Sequence, residues 1–508
     1  MDPTAPASQA FGAALAAWRT AIGPEWVSDA AEALEGASRA TFATTARVRA
    51  VLQPGDQDQV AACLGIAHRL GVPVYPVSAG RNWGYGSRVP PRDGSALLSL
   101  ARLDRVVNVH EELACVTVEP GVTFARLAEF LRARGSRLLP PLTGASPGAS
   151  VVGNALERGL GKGPYADLAA RVCACEAVLP NGQVVRTGFA GLPGAPAAPP
   201  RADGPGPSLQ GLFAQGSLGV VTRMTLWLDP APAWRQRVVF LLRGEPELAA
   251  GIDALRGLLQ RRPSGVQVEL MNDYRFLAQT RQFPYGEVDA AAPLPRPWVQ
   301  SALPWAGGAQ WVGCATLWGE SKDELALGRR ALEERLAPAA GGLNCEEPTP
   351  GWEAPESHDG IRSAYWRKRA PMPADPDPDR DGCGVVWLTP VLPMLGAAAA
   401  GALAAVEHEM QAHGFEPTLA LRPGPRGLQA VVALLYDRQD PGADARAARC
   451  HAALRGLLDG RGLYPYRLGL MDLDTPPARD PGSAALLAAL KAWADPQGVL
   501  APGRDLLD

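Results

Sequence analysis

Val77-Ser78-Ala79-Gly80-Arg81-Asn82-Trp83-Gly84-Tyr85-Gly86 is the stretch on which the reading of this chain turns. It grows out of an apolar segment, residues 72–77, that reads as a buried strand. Gly80, Gly84 and Gly86 let the backbone approach a ligand closely and turn consecutive N–H groups inward, as loops that cradle a diphosphate do. Arg81 would add charge to such a nest, and Asn82 a hydrogen bond. The spacing fits neither the dinucleotide fingerprint of the Rossmann fold nor the P-loop. Taken alone, the stretch reads equally well as a plain tight turn.

Working outward, further glycine-dense blocks appear. Residues 144–161 hold Gly148, Gly153, Gly159 and Gly161, with Asn154, Glu157 and Arg158 between them. That density suits a ligand-facing loop better than a helix interior, where each glycine costs ~1 kcal/mol against alanine. Gln215-Gly216-Ser217-Leu218-Gly219 and Ala501-Pro502-Gly503-Arg504 are two more such turns. Around them the periodicity predicts a helix over 11–22, a strand at 48–52, a helix over 56–70, strands at 95–98 and 114–118, and a helix over 124–134. Residues 173–179 and 183–187 flank Asn181-Gly182 and read as a hairpin whose turn takes positive backbone angles. A Gly/Pro/Ala-rich surface loop over 191–207 precedes a strand at 219–228. After Pro230 the composition changes. Strands at 238–242, 265–270, 310–317 and 384–388, a helix over 325–336 and a Pro/Asp-rich loop over 371–382 suggest an antiparallel sheet with helices on one face. A helix over 483–493 and a tail over 495–504 close the chain.

With 508 residues the chain is too long for one ordinary core. A net charge of -3, with no Lys/Arg cluster, offers no field for nucleic acid. The eight cysteines form no zinc spacing, and Cys173 and Cys175 read as small core residues of a strand. Nothing at the N-terminus reads as a signal peptide, so reduced thiols and a cytoplasmic location are expected, and the apolar run over 395–406 is too short to span a bilayer.

The blocks at 77–90, 116–121, 150–165, 176–188, 215–222, 466–467 and 495–504, in that order, resemble the vanillyl-alcohol oxidase and p-cresol methylhydroxylase family of flavoproteins, in its branch acting on 4-substituted phenols. They span most of the chain, with 230–462 matching only loosely. The resemblance implies an α+β fold: an FAD domain built from both chain ends (1–230 and 463–508) and a substrate domain inserted at 231–462. It places the diphosphate against 77–84 and 153–161, and the adenine side near 216–221. The implied cofactor residues are Val77, Ser78, Ala79, Gly80, Arg81, Asn82, Gly84, Tyr85, Ser146, Pro147, Gly148, Ser150, Gly153, Asn154, Glu157, Gly159, Gly161, Tyr165, Gly216, Gly219, Val220, Val221 and Arg504. It also implies a phenolate pocket of Tyr85, Tyr466 and Arg467, a small phenolic substrate, a homodimer, and no metal. The chemistry agrees with those residue types. A free phenol titrates near ~10, and a guanidinium with two phenolic donors favours its anion by charge and hydrogen bonding together.

The chain departs from the family at three points. Many members tether FAD through a histidine or tyrosine, and the corresponding strand here reads Gln429-Ala430-Val431-Val432, so non-covalent FAD is expected. Oxidases of the branch carry an aspartate where Ala145 stands, and residues 143–149 hold no carboxylate. Arg88 and Lys162 stand where the family has small or aromatic residues, and would suit a substrate carboxylate. The last two departures favour desaturation or oxidative decarboxylation over hydroxylation.

Overall fold

The strand leading into the glycine loop, Val74–Val77, lies at the edge of a four-stranded sheet in the computed structural model, which describes residues 5–163, 167–198, 200–261, 265–351 and 359–504. The sheet order is Val27–Ser28, Ala50–Leu52, Ala96–Ser99, Val74–Val77, and its last two pairings are parallel. A parallel pair needs a crossover, and helix Gln57–Leu70 supplies it. Asp56 caps its first turn by accepting from the Gln59 N–H, and Gly71 ends it at φ 63°, where a side chain would be strained. Val60, Cys63, Leu64, Ile66 and Ala67 face the core, against Phe11 and Trp18 of helix Ala5–Ile22. The indole of Trp18 donates to the Cys63 carbonyl at 3.1 Å. That first helix starts earlier than its apolar spacing predicted.

A second sheet is antiparallel, in the order Val184–Arg186, Val172–Val178, Val220–Trp227, Cys115–Val118, Val106–His110. The expected hairpin is there, with a different turn. Only Gly182 takes a positive φ, 86°. Asn181 instead accepts the Gln183 N–H on its side-chain oxygen at 3.0 Å. Cys173 and Cys175 are buried in this sheet, and burial pushes both thiols up to about 12. All eight cysteines are free.

Beyond Pro230 the sheet is larger than expected: nine strands, antiparallel throughout. Its main path runs Leu343–Cys345, Trp234–Leu242, Trp311–Gly319, Val266–Asn272, Thr418–Pro423, Gly427–Asp437, Cys383–Leu388. Helices Glu245–Leu259, Lys322–Leu336, Gly396–Ala412 and Ala443–Asp459 bury one face of it. The alanine-rich run over 395–406 belongs to the third of these, and among the described residues no helix is long and apolar enough to cross a membrane. The other face is left for a cavity.

The C-terminus returns to the first sheet. Val74 donates to the Val499 carbonyl and accepts from the Ala501 N–H, both at 2.8 Å, so residues 499–501 extend that sheet's edge. Val499 and Leu500 are buried in the N-terminal core. Lys491, buried on helix Pro481–Ala494, donates to the carbonyls of Ser217 and Leu500 and pairs with Asp495 at 2.9 Å. One cation thereby ties the chain end to the Gln215–Gly219 turn.

Candidate active site

Tyr85 is fixed by what lies on either side of it. Gly84 (φ 78°) and Gly86 (φ 118°) both take backbone angles that favour glycine. A Cβ on Gly84 would fall 2.0 Å from Trp387, and one on Gly86 would fall 2.3 Å from Leu470, so the two glycines admit those side chains against the loop. Strand Cys383–Leu388 then docks on this loop. Trp387 donates its N–H to the Gly84 carbonyl at 3.1 Å, and the Thr41 hydroxyl bridges the Val385 carbonyl and the Gly84 N–H at 2.8 and 2.9 Å. The sheet edge is closed by the loop it positions, which removes an open pairing surface.

From the other side comes the chain end. Tyr466 donates its N–H to the Thr389 carbonyl at 3.2 Å, and the Tyr85 hydroxyl lies 3.4 Å from the Thr389 hydroxyl. The Arg467 guanidinium carbon sits 3.5 Å above the centre of the Tyr85 ring and 6.0 Å from that of Tyr466. Arg467 donates to the Glu157 carbonyl at 3.3 Å, while its buried Nε has no hydrogen-bond partner among the described residues. Burial works against its charge, and the oxygens of Tyr85 and Tyr466 together with Glu157 outweigh burial. Burial raises the Tyr466 phenol above its ordinary range, Arg467 opposes the rise and Tyr85 adds to it. The three residues singled out in the sequence thus converge, although 381 positions separate Tyr85 from Tyr466. An anionic oxygen placed among them would meet a fixed cation and phenolic donors.

These residues line one cavity with about 1980 Å³ of atom-free space, its mouth included. Its walls carry residues 77–82, Ser150, Gly153, Asn154, Glu157, Gly159, Gly216, Gly219, Val220, Val221 and Arg504. Ser87, Gln215 and Ala501 also line it, and all three are non-glycine residues at positive φ (55°, 51° and 47°). Backbone strain of this kind gathers where a ligand must be held. A Cβ on Gly153 would come 3.2 Å from the Ser78 hydroxyl, so the two loops meet as a cradle without side-chain bulk. The buried Oδ1 of Asn154 has no hydrogen-bond partner among the described residues and can take a donor from a ligand. The residues present fit a flavin dinucleotide.

Of the other positions marked in the sequence, all but Lys162 that the structure describes stand behind that wall. Ser146 accepts a hydrogen bond from Arg81 at 3.0 Å, and a Cβ on Gly148 would fall 2.4 Å from the same guanidinium, so both shape Arg81. Pro147 belongs to the same turn, where it accepts from the Ala125 N–H, and Gly161 pairs with Thr143. Lys162 lines the cavity, opposite Leu142 in a two-stranded pairing. Arg88 packs against Gly80, whose Cβ would lie 3.1 Å from its Nε, and its charge faces Asp379. Tyr165 lies outside the described residues.

Of the wall that residues 231–462 provide, the sequence reading marked only the strand at 429–432. Glu269, Arg275, Gln279, Trp387, Thr389, Arg422 and Val431 all face the cavity from it. Strand alternation could have exposed Trp387 and Val431, whose neighbours Val386, Leu388, Ala430 and Val432 are core. The polar members carry no local signature. Two carboxylates line the cavity among the described residues, and both are paired: Glu157 with Arg504 at 2.7 Å, Glu269 with Arg422 at 3.2 Å. Ala145 lines it too. Behind the wall, Asp379 accepts from the Ser87 hydroxyl at 2.7 Å and the Trp83 indole at 3.1 Å, and burial lifts its carboxyl to about 7.

Comparison with known proteins agrees with this architecture. Residues 48–188 match the FAD binding domain family. The chain is 40% identical to the 1'-carboxy-chondrochloren decarboxylase of Chondromyces crocatus, over 98% of this chain and 97% of that protein. It is 26% identical to the 4-cresol dehydrogenase [hydroxylating] flavoprotein subunit of Pseudomonas putida, over 89% and 86%. Crystallographic p-cresol methylhydroxylase with substrate bound superimposes with a TM-score of 0.90, at 24% identity over 98% of this chain and 97% of that one. The 4-ethylphenol oxidase of Gulosibacter chungangensis gives 0.88 at the same identity and coverage. The fold and the cavity are those of an FAD-dependent oxidoreductase. Within that class the chain belongs to the vanillyl-alcohol oxidase and p-cresol methylhydroxylase family.

Proposed function

We propose that this oxidoreductase takes a benzylic hydride from a para-substituted phenol that also carries a carboxylate, and releases the carboxylate as carbon dioxide. Bound FAD supplies the two-electron acceptor, held without a covalent link, since Val431 presents an aliphatic side chain to the cavity where a tether would start. Tyr85, Tyr466 and Arg467 hold the substrate oxygen as phenolate, so that its electron density drives hydride loss. A p-quinone methide remains. Where a carboxylate lies beta to the benzylic carbon, the carbon–carboxyl bond can then break. Its electron pair forms the side-chain double bond as the ring regains aromaticity, leaving a vinylphenol.

The observation that carries the choice of outcome is the pairing of both cavity carboxylates. Hydration of the quinone methide needs a base to take a proton from water. Glu157 and Glu269 are each held by an arginine, and Ala145 supplies none. The name of the 40%-identical relative, a decarboxylase, supports the same reading. Anaerobic mixing tests the first half of the proposal. A 4-alkylphenol should bleach the flavin and its O-methyl ether should not; equal bleaching by both would remove the phenolate from the mechanism.

A further inference from the structure

Arg275 stands on the first turn of helix Asp273–Thr280, where the Asn272 side chain caps its N–H at 3.0 Å. It lines the cavity and is 6% exposed. Its Nε and Nη1 are buried, and neither has a hydrogen-bond partner among the described residues. Burial brings it down to about 10, a low value for a guanidinium. Its acidic neighbour, Glu269, is already engaged by Arg422 at 3.2 Å. A buried cation with unfilled donors and a spoken-for neighbour is costly unless an anion completes it.

The position of Arg275 also suits a substrate. Its guanidinium carbon lies 5.1 Å from the centre of the Trp387 ring, and the same indole abuts Gly84, next to Tyr85. One indole therefore separates the phenolate corner from Arg275. We propose that Arg275 is the seat of the substrate carboxylate, its unpartnered guanidinium nitrogens receiving that group across Trp387 from the Tyr85–Tyr466–Arg467 corner. This rests on the reading of the substrate as a carboxylate-bearing phenol, and not on how the quinone methide decays. Of the other candidate cations, Arg88 is not among the residues that line the cavity and its charge acts on Asp379, and Lys162 reaches the cavity from the N-terminal half of the chain.

The test is equilibrium binding to the oxidised holoenzyme, read as perturbation of the flavin absorbance. The probes are 4-hydroxycinnamate and its methyl ester, neither of which carries a benzylic hydride to lose. Wild-type protein should prefer the acid, and Arg275→Gln should reduce the acid-to-ester affinity ratio about ten- to hundredfold. Arg275→Lys, which keeps the charge, should restore part of it. An unchanged ratio in Arg275→Gln, or collapse of the ratio in Lys162→Gln instead, would overturn the proposal. Because no turnover is involved, a hydroxylated product in a separate assay would defeat the decarboxylation reading while leaving this result standing.

Discussion

In the proposed mechanism, Arg467 acts on charge that gathers on the substrate oxygen as hydride leaves. Its geometry is set before any ligand arrives: stacked 3.5 Å over Tyr85 and tethered to the Glu157 carbonyl. Preorganised donors of this kind are worth ~3–4 kcal/mol in the transition state. Arg467→Ala should therefore slow flavin reduction by about two to three orders of magnitude while FAD content changes little, measured by anaerobic stopped-flow. Tyr466→Phe should cost much less, since one donor of several is removed. Residue types were the most legible part of this site. Tyr85, Tyr466 and Arg467 were reached through the resemblance of their blocks to a phenol-oxidising family, and a free phenol's reluctance to ionise explains why those residue types suit the place. Arg275 and Glu269 were not legible, because an isolated charge on a helix or strand looks the same in sequence whether it meets solvent or a cavity.

Among the elements, the loop over residues 371–382 does more than its Pro/Asp composition suggested. It delivers Asp379 beneath the Tyr85 turn, where Ser87 and Trp83 bind it. Its folded pKa of about 7 lies above the ~3.9 of a free aspartate, so the native state holds a proton that the unfolded chain has lost between those values. The contribution is fully present below about pH 4 and is lost as pH rises through 7. Asp379→Asn removes that loss. Thermal or denaturant unfolding should show the variant gaining on the wild type between pH 5 and 8, by on the order of 3 kcal/mol. A flat difference across that window would mean Asp379 is ionised in the fold. The glycine loops were readable as ligand-facing because several of them recur, where any one alone would pass for a tight turn. The turn at Asn181-Gly182 was read with two positive angles and has one, because an Asn side chain can itself close the turn.

For the whole molecule, the return of the chain end to the first sheet and the docking of strand Cys383–Leu388 on the Thr41–Gly84 loop bring distant segments to one cavity. Such long-range convergence leaves no periodic trace, which is why ordered block resemblance, not local pattern, led to the architecture. The region after Pro230 showed most clearly where strands alternate, and strand Thr418–Pro423 went unread, its pattern broken by a proline at its end. Acid precipitation should release the flavin into the supernatant, whereas fluorescence retained on a denaturing gel would demonstrate a covalent link elsewhere than Val431. The central claim is that a cavity without a free base lets the quinone methide fragment instead of adding water. Turnover of 3-(4-hydroxyphenyl)propanoate in oxygen-18 water, with carbon dioxide followed alongside substrate loss, tests it most directly. The account predicts one carbon dioxide per substrate consumed and an unlabelled 4-vinylphenol, and an oxygen-18-labelled benzylic alcohol that keeps its carboxylate would contradict it.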